Sequence, residues 1–324
     1  MGSASTPLPS RLGAAGATLA RELMAAEAVG ALRHDGLRAI VLKGPAIARW
    51  LYGSAPQRSY GDSDLLVSPD DFAAAEKTIA GLGYRPRSES LPGDRPCARY
   101  FMRDDGAALD LHQTLPGVGV SPGTAWSLLS AETEVMTMRG VEVEFLNEPA
   151  RALHLALHAA DHGSTSEQPL KDLILALGTL PEVLWGEAAD LAVTLEAAAT
   201  FAAGLRLLPE GADLAARLGL PANDSLEAAL RASPATRHAL GLEWLLQTRG
   251  LGAKASLLAR KLAPPPAYMR AWLDLAQKGY PGLILAYAWR PLYLLLEAPL
   301  TIHSWWRTRR ELRERLPTIS DNRT

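Results

Sequence analysis

Apolar positions along this chain recur at a helical period near the start, then in short alternating runs, and after Asn147 at a helical period almost to the end. Residues 11–35 are rich in Ala and Leu at helical spacing and stop at the turn His34-Asp-Gly36. The run Leu37–Leu42 reads as a strand and breaks off at Lys43-Gly44-Pro45, where Gly44 suits a turn or N-cap and Pro45 the first position of a helix Ala46–Tyr52. A loop, Gly53–Gly61, leads to a strand over Asp62–Val67, and Ser68-Pro69-Asp70-Asp71 caps a helix that Gly83 closes. Two hairpins follow: Ala98–Arg103 with Ala107–Leu111 around Asp104-Asp105-Gly106, and Thr133–Met138 with Val141–Leu146 around Arg139-Gly140. The rest predicts helices over 148–162, 170–179, 187–207, 225–232, 235–249, 253–262 and 266–278, then an apolar pair after Pro281. The pattern predicts an α+β module, residues 1–147, followed by an all-helical domain, residues 148–324.

Composition narrows this picture. The 324 residues, 48% hydrophobic and 21% charged, suffice for a sizeable core and two domains. A net charge of −2 gives no general electrostatic footprint for nucleic acid. A single cysteine, Cys97, excludes an internal disulfide framework and fits a reducing, cytoplasmic setting. The start, MGSASTPLPSRLGAAG, lacks the continuous apolar run of a signal peptide. The most apolar stretch, 283–306, is interrupted by Arg290, Pro291, Glu297, Pro299 and His303, which favours core helices over a membrane span.

The segment RSYGDSDLLV, 58–67, puts Asp62 and Asp64 two residues apart. In a strand such positions share a face, with Cα atoms about 6.5 Å apart. Two carboxylates there repel and lose hydration, a liability to folding that a cation between them would relieve. Mg²⁺ suits such oxygens, with Mn²⁺ as the alternative, and it assists phosphoryl and nucleotidyl transfer. In Ala107-Ala-Leu-Asp110-Leu-His112, Asp110 and His112 share one face, so Asp110 can complete the set and His112 can orient a carboxylate or phosphate. The bland alternative is an Asp64 paired with a nearby arginine such as Arg58. Upstream, a strand feeding a glycine turn and a helix N-terminus at Lys43-Gly44-Pro45 is a ready anion site.

In this order VLKG (41–44), LYG (51–53), RSYGDSDLLV (58–67) and ALDLH (108–112) resemble an uncharacterised bacterial nucleotidyltransferase family of the DNA polymerase beta superfamily. Similar segments continue at ALHLALHAADHG (152–163), Pro169-Leu-Lys171-Asp172-Leu, Tyr268-Met269-Arg270 and Leu285–Leu292. The resemblance implies a mixed sheet flanked by helices, a site for Mg²⁺ and a nucleoside triphosphate, and a helical domain over the acceptor. Asp62, Asp64 and Asp110 would be the catalytic and metal-holding carboxylates. Lys43, Gly44, Arg58, Ser59, His112, His158, His162 and Lys171 would serve the nucleotide. One departure stands out: Pro45 follows Gly44 where superfamily members generally carry Ser or a second Gly, which removes a hydroxyl and an N–H.

His154, His158 and His162 recur every four residues on one helix. Three readings are open: a structural zinc site, a role near the nucleotide through Asp172 or the carboxylates, and ordinary buried histidines. Lys171-Asp172 reads either as helix-start charges or as part of the site. Arg307, Arg309, Arg310, Arg313 and Arg315 suit the dipole at a helix end, or a contact with an acidic peptide or tRNA.

These features point to transfer of an NMP, AMP favoured, from a nucleoside triphosphate to an acceptor such as a peptide natural product or a saccharide. The rivals are a nucleotide- or partner-binding protein without turnover, supported by Pro45, and a nucleotidyltransferase-like toxin acting on tRNA, which the neutral charge disfavours.

Overall fold

A computed structural model describes residues 8–53, 58, 62–87, 97–163, 166–222, 226, 230, 237–248 and 250–315. The chain forms two compact units that interleave in sequence, whereas the sequence pattern suggested one cut after Asn147. The described residues of the first lie within 1–87, 96–157 and 171–197, those of the second within 158–170 and 198–324.

The first unit is an α+β sandwich on a seven-stranded mixed sheet. Its strands are β1 (Ala39–Val41), β2 (Ser63–Val67), β3 (Arg85–Arg87), β4 (Ala98–Met102), β5 (Ala108–His112), β6 (Thr133–Met138) and β7 (Val141–Leu146), in the order β3-β4-β5-β2-β1-β7-β6. The central strands β1 and β2 are antiparallel, and each has a parallel outer neighbour, β7 and β5 respectively. Both predicted hairpins form. The β6–β7 turn places Arg139 at φ 51° and Gly140 at φ 82°, the paired left-handed geometry whose twist matches a two-residue hairpin.

Alternation decides which face of each strand is dry. Ala39, Val41, Leu65, Val67, Leu109, Leu111, Val143 and Phe145 join one apolar cluster with Ala25, Val29 and Leu32 of α1 (Leu8–His34) and Ala75 and Ile79 of α3 (Phe72–Gly81). The intervening positions, among them Asp64, Asp110 and His112, therefore point away from that core. Between β1 and β2 lies α2 (Pro45–Tyr52), begun by Pro45 at its first turn. Two elements escaped the sequence reading. The edge strand β3 carries Pro86, which is tolerated only at an edge. The short helix α4 (Pro122–Leu129) starts at a Ser121 side chain that caps Thr124 N–H.

Further helices are α5 (Glu148–His162), α6 (Glu167–Thr179) and α7 (Glu182–Thr194), followed by α8 (Ala198–Leu205), α9 (Pro209–Arg217), α10 (Arg237–Gln247), α11 (Leu251–Leu262), α12 (Pro266–Trp272) and α13 (Gly279–Arg315). The predicted helix over 187–207 is two helices, parted where Glu196 takes φ 53°. The predicted pair after Pro281 is a single helix that runs through Pro291 and Pro299. In the second unit α13 packs against α10, α12 and a 3-10 turn, Asp274–Gln277. Its Arg290 is buried, with the guanidinium 5.2 Å from the ring of Tyr268 and 4.3 Å from that of Trp272.

One sequence expectation fails here. The stretch 283–306 was expected to form core helices, yet its large side chains are mostly exposed; Leu295 is 70% and Leu300 62% accessible. Two prolines and a few polar residues did not break the helix, and only one side of it finds apolar neighbours. By length and composition α13 is the one described helix long and apolar enough to cross a membrane.

Candidate functional site

The site grows from the register of two parallel strands. Asp64 on β2 pairs with Asp110 on β5, so the two carboxylates leave adjacent backbones on the same face. His112, two residues beyond Asp110, shares that face. Leu42 N–H donates to the Asp64 carbonyl at 2.9 Å, which carries the end of β1, and hence Lys43, alongside. Gly44 then takes φ 66° and ψ −113°, a region only glycine occupies readily, and turns the chain into α2. Asp62 lies half-buried just ahead of β2 and not within it.

Asp64 is 1% exposed. Its Oδ1 lies 2.7 Å from Lys43 Nζ and 3.1 Å from His112 Nε2. Its partner is thus a lysine, not the arginine considered from sequence. Burial alone would push the Asp64 carboxyl up, but the Lys43 ammonium and the His112 imidazole hold it well below the usual range. The same pairing lifts His112 to about 9 against the pull of burial. Lys43 is raised too, because Asp64, Asp62 and Asp110 together outweigh its desolvation. Asp110 is pushed up to about 6, by burial first and then by Asp64. Asp62 moves up for the same two reasons.

Asp64 Oδ2 is buried and has no hydrogen-bond partner. Ligand atoms of Asp64, Asp110 and His112 lie within 4.8 Å of one another. The orphaned Asp64 oxygen and the Asp110 carboxylate form a donor set that fits a divalent cation, to which His112, protonated at neutral pH beside Asp64, adds a nitrogen only when it loses that proton. His112 takes the third place in this cluster, where sequence spacing put Asp62; Asp62 contributes its charge from beside it.

The remaining expected residues scatter. Arg58 is 4% exposed and donates to Asp172, with Nη2 2.6 Å from Oδ2 and Nε 2.9 Å from Oδ1. The hydroxyl of Tyr52 donates to the same Oδ1 at 2.8 Å. A residue expected to touch the nucleotide is therefore engaged in a buried ion pair with α6. Ser59 lies outside the described residues. Lys171 is exposed on α6 while its neighbour Asp172 is fully buried, so the Lys-Asp-Leu segment contributes its acid to the interior. His158 and His162 belong to the second unit, their rings edge to face at 4.4 Å.

His154 was not among the expected site residues. It is 1% exposed, hydrogen-bonds to the Leu42 backbone, and falls to about 3 through burial and the nearby Lys43 charge. It is held neutral behind the carboxylates. Its four-residue spacing from His158 drew attention to the helix without showing which ring faces the sheet.

Paired carboxylates on adjacent strands stand here beside a glycine turn and a helix start, a donor set and an anion-facing backbone in one place. A family model described as uncharacterised nucleotidyltransferase matches residues 12–211, and the chain belongs to that family. The match ends before the similar segments near Tyr268 and Leu285. No curated protein sequence matches the chain. Among solved structures, the antibiotic-resistance factor ANT(2'')-Ia is similar at 15% identity and a TM-score of 0.38, over 55% of this chain and 92% of that one. An antigenic nucleotidyltransferase-like protein from Paracoccidioides brasiliensis is similar at 14% identity and a TM-score of 0.31, over 54% and 92%. Likeness at this level is loose, and the family assignment rests on the family model.

Proposed function

We propose that this protein transfers an NMP group, AMP favoured, from a nucleoside triphosphate to an acceptor hydroxyl, phosphate or peptide group with the help of a divalent cation. The observation that carries this reading is the in-register pair Asp64 and Asp110, with Asp64 Oδ2 buried and unpartnered. Asp62, Asp64 and Asp110 would hold Mg²⁺, or Mn²⁺ in its place, with His112 as a further ligand or as the group that orients Asp64. The cation would supply charge stabilisation on the transferred phosphoryl oxygens.

The chain's own residues bind and orient. Gly44 and the first turn of α2 offer backbone N–H groups to phosphate, with Lys43 adding positive charge beside them. Ser59, Lys171, His158 and His162 remain proposed nucleotide contacts, while Arg58 serves through Asp172. Asp110, with a carboxyl near 6, suits accepting the proton of an acceptor group. Peptide natural products and saccharides are the acceptor classes this reading carries forward, in a cytoplasmic setting.

Calorimetry with several triphosphates, with and without Mg²⁺, tests the binding half. Tight binding that requires the metal is expected; absent or metal-indifferent binding overturns it. Pro45 at the first position of α2, where it removes an N–H from the phosphate cradle, favours the second reading, a nucleotide-binding protein without turnover. Metal-dependent binding with no pyrophosphate release across both acceptor classes selects that reading.

A further inference from the structure

The helix α13 is 37 residues long, about 55 Å at the rise of an α-helix. Its inner positions, among them Leu283, Ala286 and Arg290, are buried against neighbouring helices of its unit. Its outer positions, Ile284, Leu285, Trp289, Leu295, Leu296 and Leu300, are between 43% and 70% exposed. These recur at helical spacing and make one continuous apolar stripe, far longer than the scattered apolar residues an ordinary surface shows. Adjacent to it, α11 buries none of its residues and leaves Leu251 87% exposed.

Charge says what covers this stripe. Residues 250–315 carry 11 Lys or Arg against 4 Asp or Glu, net +7, in a chain whose total is −2. Between Asp274 and Glu311 the only acid is Glu297, which is not on the exposed side. Exposed Arg307, Arg309 and Arg310 follow the stripe directly, and α11 ends in Arg260 and Lys261. A second copy docked face to face by a two-fold axis would set these cations against their own images. Anionic headgroups over an apolar interior match both features at once, and Trp289 and Trp306 are side chains that such an interface favours. Crossing the bilayer is disfavoured, because the inner face holds Arg290 between Tyr268 and Trp272, and Trp305 Nε1 donates to buried Glu243 at 2.7 Å.

We infer that α13, with α11 beside it, docks the protein onto an anionic lipid surface, the helix lying in the plane of the interface with its outer stripe buried among acyl chains. The acceptor chemistry would then take place next to a membrane. This docking stands independently of nucleotidyl transfer.

Full-length protein is mixed with phosphatidylcholine vesicles, with and without phosphatidylglycerol, and separated by flotation. Binding to the anionic vesicles, release by high salt and weak binding to phosphatidylcholine alone are expected. Leu295→Glu with Leu296→Glu abolishes binding, and Arg309→Glu with Arg310→Glu weakens it by roughly tenfold or more. Both pairs are exposed, so melting temperatures stay near that of the unaltered chain. The inference is overturned if the protein ignores both vesicles, or if the leucine variant binds as well as the parent. Extraction by detergent alone overturns it in favour of a span. A dimer in light scattering that the leucine variant disperses, with no vesicle binding, overturns it in favour of a second copy.

Discussion

The ammonium of Lys43 lies 2.7 Å from Asp64 Oδ1, and both groups are nearly sealed from water. Sequence spacing alone casts Asp64 as a repelled carboxylate whose neutralisation should cost the fold nothing. The pair reverses that expectation for Asp64 and leaves it intact for Asp62. Removing one partner of a buried ion pair strands the other, at a cost of about 3–5 kcal/mol. Asp64→Asn should therefore unfold at markedly lower urea, since it deprives Lys43 and His112 of their counter-charge. Asp62→Asn, which removes a carboxylate that burial and Asp64 already disfavour, should be as stable as the parent or more so. Urea melts of both variants at pH 7 check this; equal midpoints would mean that Lys43 does not pair with Asp64 in solution.

Asp110 links pH to stability and, under the proposed function, to cation binding. Its carboxyl rises from 3.8 to about 6 on folding, so the fold favours its neutral form. The native state holds the extra proton between those values, and stability falls as pH rises through them. Asp110→Asn should remove this slope and gain on the parent above about pH 6, with a ceiling of about 3 kcal/mol reduced by the group's partial exposure. Cation binding runs the other way, because ligands must be deprotonated. Mn²⁺ titrations at about pH 5.5 and about pH 7.5, below and above the Asp110 value, should show tighter binding at the higher pH and little binding by Asp110→Asn at either. Affinity independent of pH would exclude Asp110 from the cation site.

How much of this was legible beforehand depends on range. Alternation fixed the faces of β2 and β5 and so brought Asp64, Asp110 and His112 together on paper, and Gly44 with Pro45 announced the turn into α2. What alternation does not carry is which strands are neighbours. Only the parallel β2–β5 register makes Asp64 and Asp110 adjacent, and only the approach of β1 to β2 makes Lys43 their counter-ion. The Arg58–Asp172 pair spans 114 positions, a distance at which no local pattern speaks. For α13 the failure is different: apolar periodicity shows that a helix has apolar faces, not that a partner covers each of them.

The histidines should separate by titration. His112 has a folded value of about 9 against 6.5, so its contribution to stability is fully present below 6.5 and is lost as pH rises through 9. His154, near 3, should stay neutral throughout the physiological range. Histidine ring resonances followed by NMR between pH 5 and 10, a span of ordinary histidine and lysine titration of about five units, should show one late transition that disappears in His112→Gln. They should show one ring without any transition, assigned by His154→Gln. A ring of His112 that titrates near 6.5 would deny its pairing with Asp64.

Asp172 receives the guanidinium of Arg58 and the hydroxyl of Tyr52 in a site where the acid is fully buried and the arginine 4% exposed. This ties the residue four positions ahead of Asp62 to α6, so the pair should govern how the carboxylate strand is presented. Asp172→Leu should cost about 3–5 kcal/mol because it strands a buried guanidinium. Arg58→Lys should not rescue function, since an ammonium cannot reproduce the two-pronged contact made by Nε and Nη2. Combining Arg58→Met with Asp172→Leu replaces the pair by apolar groups of similar size and should recover most of the lost stability. A double-mutant cycle by urea denaturation yields the coupling directly. If the double variant is as unstable as the two single losses added together, the two residues act independently and Arg58 is free of the anchoring role; if it recovers while cation binding stays weak, the pair positions the carboxylates and does more than hold the fold.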